Sequence, residues 1–248
     1  MRIVLLRRRW LWGTGAVCCC ILAMAWVLWR DYAPAAPSFA AQGGDAPVTV
    51  VVDPGHGGVD GGASAADGTL ERDLNLEIGR RVADLLQFAG MPAVLTRTTE
   101  EAIHTEGDTI RERKVSDTRN RVSLVNGTEN ALLLSIHQNS LPSSPGTHGA
   151  FVFWNGEPGA EEAAEAVQTV LNETVNQGNE KEARRIADSV YLMNHVTAPG
   201  VLVECGFLSN AAETERLKDP AYQTRLAAAI TAGVLHIDRS DEIGDRSF

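Results

Sequence analysis

Residues 48–63 read VTVVVDPGHGGVDGGA. Val48–Val52 are all β-branched, the side chains that suit a pleated, packed strand. The run has no polar alternation, which predicts a strand covered on both faces, as in a parallel sheet between helices. It stops at Asp53-Pro54, and a single histidine, His56, follows among Gly55, Gly57 and Gly58. Glycines there let the chain turn sharply and keep the sheet rim open to a bulky substrate.

Outward from this strand, apolar runs alternate with helical patterns. Residues 71–88 place Leu74, Ile78, Val82 and Leu85 at helical spacing, closed by Gly90 and Pro92. Strands are expected at 93–97, 131–136 and 148–154, with shorter ones at 190–193 and 201–203. Further helices are expected at 109–126, 160–177 and 221–237. The expected fold is α/β: one domain with a mixed, mostly parallel twisted sheet and helices on both faces. Chemistry in such sheets sits beyond the carboxyl ends of the strands.

The charges divide the chain. Of 22 basic residues, Arg2, Arg7, Arg8, Arg9 and Arg30 precede the first acid; the rest holds 17 basic and 32 acidic residues, a net of −15. An acidic body argues against nucleic acid as a partner. Residues 10–29 carry no charge and place Trp10, Trp12, Trp26 and Trp29 at the two ends. Twenty helical residues span about 30 Å, one hydrocarbon core. Arg7–Arg9 would hold the preceding end in the cytoplasm. The expectation is an N-terminal transmembrane signal anchor at 1–30, a linker at 31–47, a catalytic domain at 48–237 and a tail at 238–248. The small-residue sites in APAAPSFAAQ (33–42) leave a cleaved, secreted form as the alternative. Cys18–Cys20 fall inside the apolar run, so Cys205, alone in the body, has no internal disulfide partner.

Three strong strands end in residues that carry chemistry: VTVVVDPGH at His56, ALLLSIH at His137 and GVLVE at Glu204. Glu71 opens the helix after the first strand and can return to the same rim. Two imidazoles and a carboxylate suit a catalytic zinc ion with an open fourth position. A second carboxylate off the metal can move the proton of a water. His56, Glu71 and His137 as ligands, with Glu204 as acid/base, fit that division. A strand-end histidine is more commonly structural, and a glycine-rich turn can also cradle phosphate. GHGGVDGGA, however, lacks the lysine of a P-loop. His104 and His236 are read as non-ligands; His148 and His195 are less settled because both can face the rim. Arg111–Arg121 reads as a solvated helix face with local ion pairs, or as a contact for anionic glycan or peptide.

The motifs VVDPGHGGVDGGA, ERDLNLEIG, LTRTTE, RVSLVN, SIHQNS and VLVECGFLSN, in that order, resemble those of the zinc-dependent N-acetylmuramoyl-L-alanine amidases, the third amidase class of bacterial cell-wall hydrolases. The likeness covers residues 48–235. It is strongest to the membrane-anchored, germination-specific branch of endospore formers, through ERKVSDTRNRVSLVN and YLMNHVTAPGVLVECGFLSN. Arg72 stands where lysine is usual and Ser140 where alanine is common. The resemblance implies one zinc ion on His56, Glu71 and His137, with Glu204 as catalytic acid/base. It implies hydrolysis of the amide between the lactyl group of N-acetylmuramic acid and L-alanine in peptidoglycan, in spore cortex. It also implies a downstream muramic acid deacetylase and leaves room for an activator protein. The catalytic body would face the extracytoplasmic side of the membrane. The alternatives by class are a zinc peptidase acting on stem peptides and a non-catalytic peptidoglycan-binding module.

Overall fold

The structure, a computed structural model, describes residues 47–244, with side chains described through residue 237. The expected anchor, and the linker up to residue 46, lie outside the described residues. No helix among the described residues is long and apolar enough to cross a membrane.

Six strands form one mixed sheet in the order β2-β1-β3-β6-β4-β5. They are β1 (Thr49–Pro54), β2 (Ala93–Leu95), β3 (Ala131–Asn139), β4 (Phe151–Trp154), β5 (Arg184–Arg185) and β6 (Gly200–Phe207). The run from β2 to β6 is parallel; β4 is antiparallel to β6, and β5 parallel to β4. Alternate residues serve opposite faces. Val50, Val52, Leu132, Leu134, Ile136, Val201 and Val203 enter the larger core, while Val51, Leu133 and Leu202 enter the smaller one. This is why the central strands read as unbroken apolar runs.

The larger core is covered by α1 (Glu71–Phe88), α3 (Ala160–Thr174) and α6 (Pro220–Gly244). Gly233 permits α3 and α6 to approach closely, since a Cβ there would lie 2.5 Å from Val167 Cα. The smaller core is covered by α2 (Ile110–Asn126) and α4 (Tyr191–His195), which bring Val125, Leu192 and Met193 inward. α5 (Ala211–Lys218) follows β6. A capping box starts α2: Glu112 N–H donates to Thr109 Oγ1 at 3.2 Å, and Thr109 N–H donates to Glu112 Oε2 at 2.9 Å.

Some local expectations differ from the structure. Residues 191–195 form a helix, not a strand. Asn194 donates its side-chain amide to the carbonyls of Ala187 and Val190, and the rings of Tyr191 and His195 stack one turn apart at 3.7 Å. The strand expected from 148 begins at Phe151, because Gly149 and Ala150 give their N–H groups to the side chains of Glu213 and Asn176. The two-residue edge strand β5 was not expected; its pattern, two arginines, carries no strand signal.

Candidate active site

His56 lies just past β1 with φ 63, in the left-handed region that a residue with a Cβ seldom enters. Two buried arginines hold it there. Arg121 donates to Pro54 O at 2.8 Å and to His56 O at 2.6 Å. Arg97 donates to Pro54 O at 2.9 Å and to Gly55 O at 3.0 Å. Strain of this kind costs about 1–3 kcal/mol and persists where surrounding contacts over-determine it. The next glycines continue the turn, with Gly57 at φ 145 and Gly58 at φ 56.

Glu71 is the first residue of α1, where the helix dipole favours a carboxylate. Its backbone and side chain both pin the returning loop: Glu71 N–H donates to Ala63 O at 2.9 Å, and Ala63 N–H donates to Glu71 Oε2 at 2.7 Å. Its other oxygen accepts from Gln138 N–H at 3.1 Å and from Asn75 Nδ2 at 3.3 Å. His137 stands near the end of β3, just before a register shift.

These three side chains converge. His56 Nε2 and His137 Nδ1 approach the same oxygen, Glu71 Oε1, at 3.3 and 2.8 Å. Their rings meet edge to face with centroids 5.1 Å apart. One donor atom from each residue lies within 4.8 Å of the others, so the group can hold a metal ion. Two glycines clear the space. A Cβ on Gly55 would lie 2.2 Å from His137 Nε2, and one on Gly62 would lie 2.5 Å from Glu71 Oε2 and 2.7 Å from His56 Cδ2. The second ring nitrogen of His56 donates to Asp60 Oδ2 at 3.0 Å, the arrangement that orients metal-binding imidazoles, and Lys114 holds Asp60 Oδ1 at 2.7 Å.

The electrostatics match a cation site. Burial works against the His56 imidazolium, but Asp60 and Glu71 outweigh it and raise its pKa to about 9. Burial opposes ionisation of Glu71, yet the two histidines hold its carboxyl far below the usual range. Both shifts favour positive charge among these donors, as a cation site requires.

Glu204 shares the rim without joining the cluster. It is the register partner of His137 across the parallel β3–β6 pair, so both side chains leave the same face. Its Oε2 is sealed from solvent with no hydrogen-bond partner among the described residues. Burial raises its pKa and the charge of Glu71 adds to this; His137 and His56 oppose, and the net value is about 7. A half-buried carboxyl with one sealed, unpartnered oxygen, poised near neutrality, suits a general acid/base.

Among the described residues the remaining histidines do not enter the group. His148 contacts Gly146 O, His195 stacks on Tyr191, His236 is exposed on α6, and His104 lies in a loop before α2. The arginine-rich helix departs from expectation at Arg121. Its side chain is buried, pairing with Asp117 at 2.8 Å and with Asp53 at 2.5 Å. Asp53 also accepts from Thr96 Oγ1 at 2.7 Å and Ser135 Oγ at 2.8 Å. Arg97, Asp60, Asn75 and Gln138 were likewise not singled out by sequence.

With this geometry in hand, comparison with known proteins gives one answer. Residues 50–236 match the family model described as N-acetylmuramoyl-L-alanine amidase (Amidase_3). A germination-specific N-acetylmuramoyl-L-alanine amidase of Bacillus subtilis (strain 168) is 40% identical over 188 residues, covering 75% of this chain and 78% of the relative. A solved structure of the CwlD amidase from Clostridioides difficile in complex with the GerS lipoprotein is similar at a TM-score of 0.74 and 31% identity, over 78% of this chain and 99% of that one. An N-acetylmuramoyl-L-alanine amidase from Clostridium difficile 630 is similar at a TM-score of 0.68 and 27% identity, over 78% and 98%.

Proposed function

From the premise that this chain belongs to the N-acetylmuramoyl-L-alanine amidase family, we propose how its residues divide the work of cleaving peptidoglycan. The chain is an amidase that hydrolyses the bond between the lactyl carbonyl of N-acetylmuramic acid and the amine of L-alanine. The convergence of His56, Glu71 and His137 beside an unpartnered Glu204 carries the reading of the site.

His56, Glu71 and His137 would hold one zinc ion; the donor set, two imidazoles and a carboxylate, is of the zinc type. When bound, zinc supplies an acidified water and polarises a carbonyl. Glu204 accepts a proton from the attacking water and delivers it to the nitrogen as the C–N bond breaks. The products are a lactyl carboxylate on the glycan and a peptide with a free amino terminus. Asp60 keeps His56 oriented, while Gly55 and Gly62 leave room around His137 and Glu71.

The likeness to a germination-specific amidase supports a role in spore cortex, with the exposed muramic acid passing to a deacetylase that forms the δ-lactam. The solved CwlD relative is in complex with a lipoprotein, which supports a protein partner of that kind, in the role of an activator, for this chain as well. We assign residues 10–29 as the membrane anchor; carbonate-resistant membrane association of the full chain is the expected result. Digestion of cortex peptidoglycan, read by mass spectrometry, tests the activity. Free lactyl carboxylates with released L-alanyl peptides are expected, and cuts confined to bonds within the stem would overturn the assignment.

A further inference from the structure

The site face continues past Glu204. Glu204 is the register partner of Phe151 across the antiparallel β6–β4 pair, and Phe153 is the partner of Arg184 on β5. Register partners share a face, so His137, Glu204 and Phe151 form one row that leads toward Phe153 and Arg184. Phe151 is held between two rings, Phe153 stacked and Phe207 edge-on, each with centroids 6.2 Å away. Over its face lies Lys181 Nζ, 5.2 Å from the centroid, donating to Asn179 Oδ1 at 2.5 Å.

The backbone of Lys181 is fixed as well. Its N–H donates to Asn172 Oδ1 at 3.0 Å, and its carbonyl accepts from Asn172 Nδ2 at 2.7 Å. The ammonium is thus placed by neutral partners and an aromatic face. The charge of Lys181 reaches exposed Glu180, but among the described residues no ion pair uses Lys181 or Arg184. Lys181 and Arg184 thus place two cations without a paired carboxylate on the strip that runs on from Glu204. Both are available to an anionic group on a bound ligand.

We infer that Phe151, Lys181 and Arg184 form a subsite for a carboxylate on the leaving peptide, and so make the enzyme selective for an acidic stem. The inference rests on the amidase reading above. Adjacent strands lie about 4.8 Å apart, so Phe151 stands roughly one strand spacing beyond Glu204. The ammonium lies a further 5.2 Å from that ring. An extended peptide covers about 3.3–3.6 Å per residue, which brings the second or third residue after the scissile bond to Lys181. Charge-assisted bonds from Lys181 and Arg184 to that carboxylate would orient the peptide along the strip.

The test uses the full chain and two muramoyl peptides, one with a carboxylate at the second residue and one with the carboxamide. Wild type should favour the carboxylate by about tenfold in kcat/KM, the scale of one charge-assisted hydrogen bond. The Lys181→Met/Arg184→Gln double variant should bring the ratio close to one. Lys181→Glu should invert it, which a merely structural role would not do. Equal ratios in wild type and the Lys181→Glu variant, with matching melting temperatures, would overturn the subsite. Tighter retention on anionic wall polymer without any change in the ratio would overturn it too, in favour of a glycan-side contact. If wild type released no peptide from either substrate, the amidase reading itself would fall; cleavage without discrimination removes the subsite alone.

Discussion

His137 and Glu204 face one another as register partners across β3 and β6, one inside the histidine–carboxylate cluster and one just outside it. Parallel pairing puts both on the same face at the carboxyl rim, yet only Glu204 keeps a buried oxygen without a partner. The sheet therefore separates the residue proposed to hold a metal from the residue proposed to move a proton.

That separation is testable at Glu204. Glu204→Gln keeps the shape and removes the base. Activity on peptidoglycan should drop by about 10²–10⁴-fold, the usual contribution of a general acid/base. Bound zinc should stay stoichiometric, because His56, Glu71 and His137 are untouched. Zinc content and peptide release are measured on one preparation; joint loss of both would make Glu204 a ligand.

The proposed ligand triad predicts the opposite pattern. His56→Ala, Glu71→Ala and His137→Ala should each lose zinc as well as activity. Replacing Asp60 by alanine should weaken zinc more mildly, by about 10–100-fold, as expected for a group that only orients its histidine. Equilibrium dialysis against a zinc chelator ranks the four, and full zinc retention in any of the three ligand variants removes that residue from the set.

Much of this was readable in the strands and little of it in the supports. β1, β3 and β6 announced themselves because both faces are buried, so apart from Thr49 and Ser135 their positions carry no polar side chain until the rim. His56, His137 and Glu204 stood out as residues able to carry chemistry at or just past those ends. The buried Asp53–Arg121 pair was hidden because Arg121 sits in a helix whose other arginines are exposed or half-buried. Helix periodicity with so few apolar residues gave no face to assign. The strand expected at 190–193 failed because apolar residues in a four-residue run fit a short helix equally well. Phe151 and Lys181 meet only through packing between β4 and the segment after α3, a contact with no local signature.

Gly55 and Gly62 carry a steric prediction. Gly55→Ala would drive a methyl into the His137 ring, and Gly62→Ala into Glu71, at separations no real Cβ tolerates. Gly62 adds a left-handed φ of 69, costing about 1–2 kcal/mol for a residue with a Cβ. Both variants should bind zinc more weakly than wild type. Gly68→Ala is the control: its φ is 89, but a Cβ there would meet nothing within 4 Å. It should lose a little thermal stability and keep its zinc. Unchanged zinc affinity in Gly55→Ala would show that His137 has room to move.

The last prediction concerns pH and the support beneath His56. Burial would raise the pKa of Asp53, but the Arg121 guanidinium and the hydroxyls of Thr96 and Ser135 outweigh it and hold the carboxyl below its ordinary 3.8. A carboxylate depressed in the native state contributes stability that is fully present above its unfolded pKa. That contribution is lost as the pH falls through the lower native value. Asp53→Asn removes it and leaves Arg121 with Asp117 alone. Breaking a buried pair from one side costs about 3–5 kcal/mol, so the variant should be destabilised by that order at pH 7. The gap between wild type and variant should hold steady from neutral pH down to about 4 and narrow below it, as Asp53 takes up its proton in wild type. Urea midpoints measured from pH 7 to about pH 2.5 give the curve, a window that spans the ordinary carboxylate range. A gap that widened on acidification would mean that Asp53 is neutral in the native state, and Arg121 would then need another counter-charge.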